Sequence, residues 1–84
     1  MIIRPVFNIL LLPEITYFFK RDFFPGAAAD QIEVGTDILF PFLKNEVDET
    51  TVTIDDIYPV GMSARVESIG DDDSIQIRTL ERVS

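Results

Sequence analysis

The sequence predicts a mainly β fold, a small barrel or sandwich of about five or six strands with one short helix. Three observations carry this. Apolar and polar residues alternate through the C-terminal third, which is the period of a pleated strand with one buried face. Short β-branched or aromatic segments recur along the rest of the chain, broken by proline, glycine or acidic turns every ten residues or so. The one stretch of high helix propensity, Ala27-Ala28-Ala29, follows directly on Pro25-Gly26, so a long helix has no room to form.

Taken in order, V-F-N-I-L-L-L at residues 6–12 is an apolar run between Pro5 and Pro13. It is too short for a typical helix, and its proline bracket favours a strand buried on much of both faces. The next strand spans residues 14–20, with Ile15, Tyr17 and Phe19 on one face and Thr16, Phe18 and Lys20 on the other. Bulk on both faces places it between two layers or leaves one face as a contact surface; core is the commoner fate of such rings. One or two helical turns are expected on either side of Pro25. Residues 31–34, Q-I-E-V, form a short alternating piece ending at Gly35.

D-I-L-F-P-F-L-K at residues 37–44 is a strong strand signal with Pro41 inside it. A proline removes a ladder donor, so this strand should lie at an edge or carry a bulge. Residues 45–51 are acidic and polar, an exposed loop. Thr53 is placed to cap a single helical turn with Asp55 and Asp56 at its positive end. The chain then enters a hairpin. Val60, Met62, Ala64 and Val66 share one face, Gly70-Asp71-Asp72-Asp73 makes the turn, and Ile75 and Ile77 resume the apolar face. Arg65, Arg78 and Arg82 project from this hairpin, where cross-strand pairing with Glu67 and Glu81 is open to them; as a recognition site for acidic partners they are disfavoured.

Composition narrows the function. The 84 residues allow one domain with a modest core, and at 46% hydrophobic the chain is too apolar to be disordered. There is no cysteine and no histidine, which removes disulfides, thiolate and imidazole metal sites, and every histidine-dependent triad. No glycine begins a phosphate-cradling loop, and no cofactor is expected. Fifteen acidic against seven basic residues, a net charge of −8, argue against nucleic acid and against an anionic membrane surface. With no secretory leader pattern at the N-terminus, a soluble cytoplasmic protein is expected.

Three patches carry a resemblance. P-V-F-N-I-L-L-L-P-E-I-T-Y-F-F at residues 5–19 has the form strand, proline, strand. I-L-F-P-F-L-K-N-E at residues 38–46 is an apolar strand leading into an acidic loop. D-I-Y-P-V-G-M-S-A-R-V at residues 56–66 fits a D-L-Y-x-V-G-x-x-A-x-I run, followed by an Asp-rich turn and a last strand from Ser74 to Val83. Together they cover nearly the whole chain, which resembles the N-terminal, substrate-binding domain of the Lon protease (endopeptidase La) family. The resemblance implies a compact pseudo-barrel of the PUA-like kind. It also implies a non-catalytic role in an ATP-dependent serine protease, binding unfolded or tagged polypeptide and helping subunits associate. The family's Ser-Lys catalytic motif has no match here, so no catalytic residue is carried over. The alternative is a free-standing interaction or regulatory domain of the same fold. A small enzyme is disfavoured for want of a nucleophile–base pair.

Among candidate sites, Asp71-Asp72-Asp73 lacks the ligand spacing of a Ca²⁺ loop and reads as a solvated turn. Asp55-Asp56 and the Glu46, Asp48 and Glu49 group read as surface charge, with no apolar pocket to shift a pKa. The aromatics are better candidates. Tyr17, Phe18, Phe19, Phe23, Phe24, Phe40, Phe42 and Tyr58 outnumber what a small core hides, and rings left exposed together would grip a polypeptide. Tyr17, Phe23, Phe24 and Tyr58 are therefore the candidate polypeptide-binding residues, Phe23 and Phe24 foremost because they flank the irregular segment.

Overall fold

The structure, a computed structural model, describes residues 1–24, 26–45 and 52–84. Its organising element is the hairpin of β4 (Ile57–Ile69) and β5 (Ser74–Val83), whose alternation turns one apolar face inward. Met62, Ala64, Val66, Ile75 and Ile77 all lie on that face, each no more than 1% exposed. At the tip, Asp73 takes a positive φ of 65°, and the Gly70 amide donates to the Ser74 carbonyl at 2.7 Å. Asp72 accepts from the Ser74 amide at 3.2 Å and pairs with Lys20 at 3.6 Å, while Asp73 pairs with Arg21 at 3.4 Å. The acidic tip thus ties the hairpin to the chain leaving the neighbouring strand.

That neighbour is β2 (Thr16–Lys20), antiparallel to β5. On the other side β4 pairs antiparallel with β3 (Asp37–Leu43), and β3 pairs parallel with the two residues of β1 (Ile2–Ile3). The sheet order is β1-β3-β4-β5-β2. The mainly β fold with five strands is therefore as the sequence indicates. Its one α-helix, α1 (Gly26–Asp30), follows a single 3₁₀ turn at Arg21–Phe23, so helical turns do flank Pro25. A second 3₁₀ turn, Ile54–Asp56, is closed by the expected cap: the Thr53 amide donates to the Asp56 carboxylate at 3.0 Å.

Pro41 sits in a strand flanked on both sides, not at an edge. The bulge is the solution adopted, since the register shifts between Pro41 and Leu43. A strand residue's nitrogen and carbonyl point to the same neighbour. The Pro41 carbonyl accepts from the Val6 amide at 2.9 Å, so the missing N–H faces the short β1 side and the ladder to β4 is spared.

Three sequence expectations are corrected. Residues 6–12 are not a strand: Val6 makes one isolated bridge to Phe42, Asn8 turns the chain at φ 59°, and Glu14 turns it again at φ 59°. The reason is topological. This segment leaves β3, where the Leu43 amide donates to the Val6 carbonyl at 2.8 Å, and must reach β5, where the Glu14 amide donates to the Thr79 carbonyl at 3.0 Å. A straight strand cannot span from one end of the sheet order to the other, so the segment bends across the end of the core. Only Val6 and Leu11 of the run are buried.

Residues 31–34 are likewise turn, held by the Glu33 amide on the Thr36 hydroxyl at 3.0 Å, with Ile32 alone reaching the core. The hairpin arginines do not pair with Glu67 and Glu81 as expected. Arg65 stands opposite Arg78 in register, and like charges push it towards Asp37, at 2.9 Å. Glu67 instead accepts from Thr16 and Gln76.

Tyr17 and Phe19 pack on the core while Phe18, on the opposite face of β2, is 70% exposed. The expected acidic loop lies outside the described residues from Glu46 to Thr51. Among the described residues no helix is long and apolar enough to cross a membrane, and no cluster of acidic side chains is arranged to hold a metal ion.

Candidate functional site

Because residues 6–12 bend instead of pairing, their apolar side chains are only partly absorbed by the core. Phe7, Ile9 and Leu10 remain exposed, Leu10 by 72%. They form one wall of an open groove of about 730 Å³. The floor and far wall come from Phe42 and Leu43 at the end of β3 and from Tyr58, Pro59 and Val60 at the start of β4. A second, smaller depression of about 440 Å³ lies beyond, lined by Leu39, Pro41, Ile54 and Ile57, and it shares Tyr58, Pro59 and Val60. Tyr58, half exposed, thus stands on a ridge between two apolar hollows.

Only two charged side chains among the described residues line the main groove, Lys44 and Arg82. The Lys44 ammonium lies 5.8 Å from the centre of the Tyr58 ring, within reach of its π face. Arg82 arrives there through a bulge. Extrapolated from Ile75, Ile77 and Thr79, strict alternation would turn residue 82 outward. The β4–β5 register slips between Met62 and Ala64, so Arg82 stands opposite the fully buried Met62 and shares its face. Residues directly opposite on paired strands point to the same side. Arg82, itself exposed, therefore stands on the groove side of the sheet.

The four residues singled out from sequence do not converge. Phe24 is 2% exposed and belongs to the core, edge-on to Phe23 at 5.4 Å, so its ring is closed to a partner. Phe23 is half-buried, stacked on Phe19 at 4.6 Å and covered by the Arg4 guanidinium at 4.4 Å. Tyr17 is half-buried too, and its hydroxyl accepts from the Leu12 amide at 2.9 Å. These three rings join Phe19 and Phe40 in one connected aromatic cluster, whose role is packing. Tyr58 alone faces the groove. Of its companions there, Phe42 was among the candidate aromatics, whereas Phe7, Leu10 and Lys44 were not singled out; the signal present was Asn8, a residue tolerant of left-handed backbone, inside an otherwise apolar run.

Chemically, the groove presents apolar and aromatic surface with two cations and, among its described lining residues, no carboxylate. Apolar lining with a few polar groups is the make-up of a surface that can hold a chain or ligand. No protein-family model matches this chain, and no curated protein matches it in sequence.

Proposed function

We propose that this chain is a non-catalytic polypeptide-binding module, acting as the substrate-recognition and assembly part of an ATP-dependent serine protease of the Lon type. The observation that carries the reading is the open apolar groove between the bent segment and the Tyr58-Pro59-Val60 ridge. Small folded chains rarely leave Phe7, Ile9, Leu10 and Tyr58 in one exposed hollow without a partner to cover them. An unfolded polypeptide supplies such cover: its apolar side chains fill the hollows on either side of Tyr58 while its backbone stays extended. The protease assignment is supported by the resemblance of residues 5–19, 38–46 and 56–83 and agrees with the mainly β fold.

The test is a titration of fluorescently labelled, permanently unfolded polypeptide with the purified chain. Saturable binding that weakens at least about tenfold in Tyr58→Ala and Leu10→Ser supports the reading. Binding that is absent, or that survives both substitutions, defeats it. The parent gene decides the setting: a Walker-type loop and a Ser-Lys domain downstream support the protease, and their absence assigns the same groove to a free-standing interaction domain.

A further inference from the structure

We infer that the groove selects apolar polypeptide segments that carry an acidic residue. This deepens the proposed function and rests on it. The chain bears a net charge of −8, so a random sample of its surface is acidic. The groove departs from that average, since the charged groups on its described lining are Lys44 and Arg82. The ion pairs among the described residues join Lys20 to Asp72, Arg21 to Asp73 and Arg65 to Asp37. Neither groove cation takes part in one.

Both side chains are exposed, and both border the apolar lining of the groove. The β4–β5 bulge turns Arg82 onto the face of Met62, where an unbroken register would set Glu81. Lys44 follows the last residue of β3 and leans over the Tyr58 ring. Both cations are thus held beside apolar surface, where an incoming chain excludes water and strengthens their field. A carboxylate in that chain gains a guanidinium fork and an ammonium, while a cationic residue at the same place is repelled. The occupant is therefore an apolar stretch with an Asp or Glu among its hydrophobic residues.

The experiment uses three unfolded peptides of one apolar sequence that differ at a single central position, Asp, Asn or Lys. Fluorescence anisotropy with the intact chain at low salt is expected to rank them Asp, then Asn, then Lys. The Asp and Lys peptides should differ by about tenfold or more, and the gap should narrow as salt rises. Lys44→Gln combined with Arg82→Gln should bring the Asp and Asn peptides to equal affinity, whereas Lys20→Gln at the hairpin tip leaves the ranking intact. Equal affinity of all three for the unaltered chain, or a preference for Lys, overturns the inference while leaving polypeptide binding standing. Failure of all three to bind overturns both.

Discussion

The hydroxyl of Thr79 accepts a hydrogen bond from the Ile15 amide at 3.0 Å and donates to the Leu12 carbonyl, joining β5 to the segment that crosses the end of the core. Thr79 is 1% exposed, the one buried polar side chain among the described residues. Its value lies in satisfying two backbone groups that no strand ladder serves. Thr79→Val keeps the shape and removes the hydroxyl, so it should cost about 1–3 kcal/mol, the desolvation of a buried group left without a partner. Urea unfolding measures this; a neutral substitution would mean that water satisfies the Ile15 and Leu12 groups.

Gly61 packs its backbone against β3. A Cβ there would stand 3.0 Å from the Phe40 carbonyl oxygen and 3.4 Å from the Pro41 Cα, both backbone atoms of a central strand. Neither can withdraw without disturbing the bulge at Pro41. Gly61→Ala should therefore destabilise by about 1–3 kcal/mol, the usual cost of overpacking. A rise in stability would show that β3 has slack at the bulge.

The two faces of β2 and β3 give a contrast. Phe18 is 70% exposed and Phe40 is fully buried. Phe18→Thr should change stability by no more than about 0.5 kcal/mol. Phe40→Ala should cost about 3–5 kcal/mol. Comparable losses would mean that a second layer covers Phe18.

At the hairpin tip, the Asp72 carboxyl is held below its ordinary value of 3.8, first by the Ser74 side chain, then by the Ser74 amide and by Lys20. A depressed carboxyl stabilises the fold above its unfolded pKa, and that contribution is lost as pH falls through the lowered value. The stability gap between the unaltered chain and Asp72→Asn should thus be constant near neutrality and close in the acid range below 3.8. Acid titration of both, followed by urea midpoints, reads it. A gap that widens towards acid contradicts the assignment. The tip is exposed, which keeps the effect small.

The hairpin, the Thr53 cap and the turns around Pro25 were legible because each is local: alternation, a capping residue and a breaker act on near neighbours. The bent segment was not. An apolar run without alternation satisfies a buried strand equally well, and only the need to reach β5 from β3 decides that Asn8 and Glu14 turn the chain. The groove was hidden for a related reason. It is assembled from residues 6–10, 42–44, 58–60 and 82, and Arg82 faces it only because a bulge reverses the alternation that holds from Ile75 to Thr79. Phe23 and Phe24 were drawn from an irregular stretch, yet that stretch folds back and seals Phe24 against Phe40.

The most direct measurement is residue-resolved nuclear magnetic resonance of the isotope-labelled chain during titration with an unfolded apolar polypeptide. Shifts should concentrate on Phe7, Leu10, Phe42, Lys44, Tyr58 and Arg82 and trace one binding curve. Shifts centred on Phe18 or on the Asp71-Asp72-Asp73 tip, or a spectrum that does not move, would contradict recognition through the groove.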